Sequence, residues 1–231
     1  MEPGDAKAHA FVVDLEHPAL DDGDRHHLER VLRLRAGEPV TVSDGRGRWR
    51  ACSFGAGAEL EVTGPVITER APAPDLAVGF ALVKGERPEW VVQKLTEVGV
   101  DRIVPFVAER SVVHWDEPKA ARNRARLVQV AREASMQSRR VWLPEVEPVT
   151  SFADLAARPG AAMAERGGLA PTLDSSLVLV GPEGGWSPAE RACGLPAVGL
   201  GRTVLRAETA AVAAAVLLAA VRDGRLAPPG R

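Results

Sequence analysis

The stretch Leu177-Val-Leu-Val-Gly-Pro-Glu-Gly-Gly-Trp186, followed at once by Ser187-Pro-Ala-Glu190, decides how the chain is read. Four apolar residues make a short strand of the buried type. Glycines at 181, 184 and 185 keep side-chain bulk out of the loop that follows. Ser187 and Glu190 then form a capping box, with Pro188 at the first helical position. Strand, glycine loop and capped helix are the parts of an open α/β sheet, which binds ligands at the carboxyl ends of its strands. The loop reads equally as a ligand cradle or as a structural turn. Its spacing is neither GxGxxG nor a Walker A loop and no lysine follows, which disfavours a phosphate cradle.

Working outward, Val198-Gly-Leu-Gly-Arg-Thr-Val-Leu-Arg-Ala-Glu-Thr209 is a second glycine-bearing loop, after a predicted strand at Ala197–Leu200 and before an alanine-rich helix at Glu208–Val221. Two such loops can wall one pocket with main chain, which suits an adenine; Glu208 also reads simply as an acid at a helix start. Upstream, strands at Leu76–Val83, Arg102–Val107 and Ala161–Ala164 alternate with helices at Pro88–Val98 and from Asp116 to about Gln137, and Ser151 caps another helix. This predicts a mostly parallel sheet with helices on both faces. Ala71-Pro-Ala-Pro-Asp75 reads as a linker. Before it lie strands at Ala10–Val13 and Glu59–Thr63, a hairpin at Glu38–Ser43 and Arg48–Phe54, and a short helix at His26–Leu34 with Leu28, Val31, Leu32 and Leu34 near one side. The expected division is 1–70 as a small β-rich domain, 71–75 as linker and 76–231 as the α/β domain.

Composition bounds the function. The 231 residues carry a net charge of −2 and are 45% hydrophobic and 26% charged, a globular balance. The longest apolar run, near Ala207–Val221, is too short to span a bilayer. The first residues show no apolar signal region, and Cys52 and Cys193 lack metal or disulfide spacing, so a reducing, cytoplasmic setting is expected, with no membrane and no metal. Basic residues exceed acidic ones by four over Arg25–Arg50 and again over Lys84–Trp142. These surpluses read as an anionic footprint or as solvated arginines. The absence of tyrosine argues against an extended base-stacking platform. His26 and His27 are adjacent, face different ways on a helix, and read as solvated surface.

Three motifs carry a family resemblance: Gly181-Pro-Glu-Gly-Gly185, Leu200-Gly-Arg-Thr-Val-Leu-Arg-Ala-Glu-Thr-Ala210 and Arg132-Glu-Ala-Ser-Met-Gln-Ser-Arg139. With His27-Leu-Glu-Arg-Val-Leu-Arg33, Asp44-Gly-Arg-Gly47, Lys84-Gly-Glu-Arg87, Gln93–Gly99 and Glu109-Arg-Ser111, the chain resembles the RsmE-type 16S ribosomal RNA uracil-N3 methyltransferases of the SPOUT class along nearly its whole length. It departs from the pattern at Met136, where an acidic or small polar residue is expected.

The resemblance implies an N-terminal PUA-like β-barrel that grips RNA, and a C-terminal SPOUT-type α/β domain with a deep trefoil knot. It implies S-adenosylmethionine as cofactor, 16S ribosomal RNA of the small subunit as substrate, and a homodimer whose sites are completed by the partner chain. The cofactor would lie against Leu179, Val180, Gly181, Pro182, Glu183, Gly184, Gly185, Leu200, Gly201, Val204, Leu205, Arg206, Glu208 and Thr209. Arg25, Arg30, Arg33, Arg46, Arg48, Arg50, Lys84 and Arg139 would contact RNA. Arg206 and Arg139 would favour a uracil N3 anion, or contact phosphate instead. Glu183 would act as a base, hold a donor, or only stabilise its loop. A ribose-methylating relative and a non-catalytic RNA-binding assembly module are the rival readings. A dehydrogenase is disfavoured by the absent dinucleotide fingerprint.

Overall fold

The computed structural model describes residues 2–85 and 87–226. They form two compact units: residues 1–71 with 132–143, and residues 72–131 with 144–231.

The first unit contains β1 (Ala8–Phe11), α1 (Asp22–His26), β2 (Pro39–Ser43), β3 (Arg48–Phe54), β4 (Leu60–Val62) and β5 (Ile67–Thr68). β1 runs parallel to β2, β2 pairs antiparallel with β3, and β3 pairs antiparallel with both β4 and β5. The glycine turn of the hairpin is required: Gly47 has φ +85°, and a Cβ there would lie 2.3 Å from the Trp142 ring. The helix predicted at His26–Leu34 instead starts at Asp22, where the Asp21 carboxylate accepts from the Asp24 N–H at 2.7 Å. It continues as one π-helical turn over His27–Val31. Of its expected apolar side, Leu28 is buried, but Val31 and Leu32 are exposed. Arg33, at φ +54°, ends the run.

Ala8, Ala10, Leu28, Val40 and Phe54 form the core of this unit together with Met136. That packing explains an apolar side chain at 136. Arg132 reaches the same unit, donating to the buried Asp24 at 2.9 Å, with its guanidinium 5.7 Å from the Phe11 ring centre. The expected boundary therefore shifts, because the chain from Arg132 to Leu143 belongs to the first unit and not to the α/β unit.

His9 is buried in this core, with Nδ1 2.9 Å from Thr41 Oγ1. Burial, then the nearby Arg139 cation, pulls its pKa from 6.5 to about 4. The unfolded chain thus takes up this proton before the folded chain does. Stability is retained above pH 6.5 and lost as pH falls toward 4, by about 3 kcal/mol in total. Denaturant titrations at pH 7 and pH 4.5 of the wild type and His9→Leu should show this component of the acid loss only in the wild type.

The second unit contains β6 (Ala77–Ala81), α2 (Arg87–Val98), β7 (Arg102–Val107) and α3 (Glu117–Ser138), whose last turns from Arg132 belong to the first unit. It continues with β8 (Glu145–Val146), β9 (Thr150–Ser151), α4 (Phe152–Ala156), β10 (Ala161–Leu169), β11 (Leu177–Val180), α5 (Pro188–Arg191), β12 (Ala197–Val198) and α6 (Ala207–Arg222). The sheet order is β12-β10-β11-β6-β7-β8, with β9 also on β7, and every pair is parallel.

Alternation sorts the sheet's side chains. Val78, Phe80, Ile103, Val178 and Val180 face α2, α3 and α6, forming a core with Val92, Leu95, Leu127 and Leu218. Ala77, Val104, Phe106, Leu177 and Leu179 face the other way, onto Leu155, Phe152, Trp186 and Leu195. Helices thus cover both faces, as a parallel sheet requires. Gly99, at φ +99°, follows α2, and the Ser187–Glu190 capping box opens α5.

Candidate functional site

The middle of β10 and the carboxyl ends of β11 and β12 converge on a cleft of about 570 Å³. One wall is the loop after β11, from Gly181 to Trp186. The other is the excursion from Leu200 to Ala207 that leads into α6.

The first wall is held from behind. Trp186 is buried, stacks on Phe106 at 6.1 Å, and donates its indole N–H to Ala164 O at 3.0 Å. A Cβ at Gly181 would lie 3.0 Å from that indole, so glycine lets the loop close over it. The buried Glu190 carboxylate accepts from Ser187 N–H and Glu109 N–H, each at 2.8 Å. Arg110 donates to Gly184 O at 3.2 Å, and Arg191 donates to Trp186 O at 2.8 Å and to Glu165 at 3.1 Å.

The second wall begins where β10 and β12 approach too closely for side chains. A Cβ at Gly199 would lie 2.4 Å from Gly168 O. Beyond it, Gly201 has φ +143°. Among the described residues, no main-chain N–H from Leu200 to Leu205 donates to a main-chain carbonyl. Arg206, the N-cap of α6, supplies no side-chain cap. This wall therefore presents unpaired main-chain donors and an open helix N-terminus, groups that need partners.

Arg87, at the start of α2, ties the walls together. Its guanidinium donates to Glu183 at 2.7 Å and lies 3.9 Å from Glu208 on α6. Glu208 Oε2 is buried without a hydrogen-bond partner.

The residues expected at the cofactor divide accordingly. Val180, Gly181, Pro182, Glu183, Gly185, Leu200, Gly201, Val204, Leu205 and Arg206 line the cleft. Leu179 does not, because its side chain is buried on the opposite face of the sheet. Gly184 sits against Arg110. Glu208 and Thr209 lie in the first turn of α6, outside the lining. Sequence reading does not single out Arg87, Glu165, Arg166, Arg191 or Thr203; of these, all but Arg87 line the cleft. Only the Lys84-Gly-Glu-Arg87 stretch signalled Arg87.

Arg139 does not line the cleft. It lies in the first unit at φ +62°, and donates to Met136 O and Lys7 O, each at 2.7 Å. Arg25, Arg30, Arg33 and Arg46 are exposed on that unit, and Lys84 is exposed on the second. Arg48 donates to Asp44 at 2.7 Å. The Asp44 carboxylate resists desolvation and is held below its usual range by the Arg46 and Arg48 N–H groups and the Arg48 guanidinium. Arg50 corrects the expectation of a phosphate contact. It is buried, and its guanidinium is spent on Gly64 O at 2.8 Å and Leu15 O at 2.7 Å, joining β3 to two loops.

Among the described residues no three His, Cys, Asp or Glu side chains cluster as a metal site. Among the described residues, no helix is long and apolar enough to cross a membrane.

Comparison with known proteins assigns the two units. Residues 20–56 match the RNA methyltransferase PUA domain family, and residues 69–219 match the RNA methyltransferase domain family. The chain is 34% identical over 219 residues to the ribosomal RNA small subunit methyltransferase E of Mycobacterium bovis, covering 85% of this chain and 84% of that one. It is 32% identical to the Bacillus subtilis protein of the same name, covering 80% and 82%. The crystal structure of the Neisseria gonorrhoeae enzyme bound to S-adenosyl methionine superposes with TM-score 0.77 at 28% identity, over 90% of this chain and 95% of that one. An α/β protein with an N-terminal PUA-like domain and a parallel-sheet methyltransferase domain, this chain belongs to the ribosomal RNA small subunit methyltransferase E family.

Proposed function

We propose that the chain transfers a methyl group from S-adenosylmethionine to N3 of a uridine in 16S ribosomal RNA, acting as a homodimer whose methyltransferase domain carries a deep trefoil knot. The observation that supports this most is the cleft between the two glycine loops, which presents unpaired main-chain donors and carries glycine at 181, 185 and 201. Those donors suit the edges of an adenine, and the open start of α6 suits a polar group carrying negative charge. When bound, S-adenosylmethionine supplies an electrophilic methyl group on its sulfonium.

The protein's own part is placement, exclusion of water and charge. Neutral uracil N3–H is a weak nucleophile, and a nearby cation favours its anion, whose charge spreads onto O2 and O4. Arg206 suits this role: it lines the cleft, and among the described residues its guanidinium has no hydrogen bond or ion pair. Glu183 is already engaged by Arg87, so we assign it to holding its loop in place. Arg139 has spent two of its donors on main-chain carbonyls, which makes Arg206 the better candidate for the chemistry.

Calorimetry tests the donor. Heat with S-adenosylmethionine and none with a nicotinamide dinucleotide or a nucleoside triphosphate is expected; the reverse overturns the reading.

Arg25, Arg30, Arg33 and Arg46 are proposed to meet RNA phosphates. Arg25→Gln with Arg30→Gln should weaken RNA binding and reduce the magnitude of the log–log salt slope by about 1–2. Arg50→Gln should lower thermal stability and leave the slope unchanged. Filter binding at several salt concentrations checks both.

A further inference from the structure

A second cleft, of about 360 Å³, opens in the second unit beside the loop that follows β6. It too lies at the carboxyl edge of the parallel sheet, where such folds bind ligands. Its chemistry differs from that of the first cleft. Lys84 enters from the loop after β6, Trp115 from the segment before α3, and Lys119, Asn123 and Arg126 from α3 itself. The last three stand four and three residues apart, so they share one stripe of the helix. An α3 surface serving only to pack would present apolar groups here, as Leu127 does on the adjoining stripe. Instead, three cations and an amide border a half-buried indole that rests on the core. Among the described residues, Glu89 is the one acid in the lining. Its Oε1 is paired with Arg126 at 3.1 Å, which leaves the two lysines without a carboxylate partner among the described residues.

The two clefts share a divider, the first turn of α2. Arg87 turns toward Glu183 in the wall of the methyl-transfer cleft, and Glu89, two residues on, lines the second. A strand of RNA crossing this turn meets both.

Resting on the methyltransferase reading above, we infer that the second cleft holds a nucleotide flanking the target uridine, its base against Trp115 and Asn123 and its phosphate among Lys84, Lys119 and Arg126. Cations fix a backbone without reading sequence, and an indole accepts any base face. The cleft thus sets the register that brings the target into the first site, and it acts on RNA binding and not on the methyl donor.

The test compares wild type, Trp115→Ala and Lys119→Glu with Asn123→Ala on undermethylated small ribosomal subunits, with donor binding followed by calorimetry. Each variant should raise the KM for subunits about tenfold, the size of one lost base stack. Both should leave the Kd for S-adenosylmethionine unchanged. Ultraviolet cross-linking of bound RNA should map to the peptide containing Trp115. If Trp115→Ala fails to fold, the α3 double variant, altered at the exposed Lys119 and the half-buried Asn123, gives the answer. An unchanged KM in that variant overturns the inference, as does a changed oligomeric state with unchanged KM, which would make the cleft a protein contact. A wild type that methylates no RNA instead overturns the methyltransferase reading itself.

Discussion

Arg206→Ala lowers kcat for methyl transfer by about 10²–10³-fold and leaves the Kd for S-adenosylmethionine nearly unchanged. The magnitude is that of removing one preorganised group that stabilises developing charge. The structure limits the side effects of this substitution. Arg206 is exposed at the cleft, supplies no side-chain cap to α6, and its main-chain carbonyl, which accepts from Ala210 N–H, survives the change. Single-turnover rates at saturating donor, alongside calorimetry of donor binding, separate the two effects. Donor binding lost in parallel with rate would make Arg206 a cofactor ligand and remove it from the chemistry.

Gly199→Ala damages fold and site together. The added methyl would fall 2.4 Å from Gly168 O, and main chain cannot swing aside as a flexible side chain can. β12 must move away from β10, and the Leu200–Leu205 wall follows directly from it. The expected loss is roughly 3 kcal/mol of stability, or a drop of on the order of 10 °C in Tm for a unit of this size. Donor affinity should fall at least tenfold. Gly4→Ala, with nothing within 4 Å, serves as the control and should change neither. Calorimetric scans with and without donor read both quantities; wild-type affinity in Gly199→Ala would show that the close approach does not shape the cleft.

Much of this site was legible because its signals are local. The Leu177–Val180 strand, the glycines after it and the Ser187–Glu190 capping box each depend on neighbours within a few positions, and all appear where the residues point. The hairpin around Gly45 and Gly47 is legible for the same reason. What escaped is long-range. Arg87 meets Glu183 and Glu208 across 96 and 121 positions, and no spacing rule relates them. Arg50 sits in a basic run that reads as a phosphate surface, yet pleat alternation turns it inward onto Leu15 O and Gly64 O. The helix at 22–31 starts ahead of the expected position because its start lies in a polar Asp21-Asp-Gly-Asp24 stretch with no apolar period, set by one cap. α3 carries no internal mark of the point where it passes from one unit to the other. β8 and β9, two residues each, are made strands by β7 alongside them and not by any alternation of their own.

Delivery of a methyl group from this cleft to uracil N3 is read by incubating the protein with labelled S-adenosylmethionine and undermethylated small ribosomal subunits, then digesting the RNA and separating the nucleosides. Label in 3-methyluridine is expected; label in a 2′-O-methylated nucleoside, or none in RNA at all, would overturn the assignment to uracil N3.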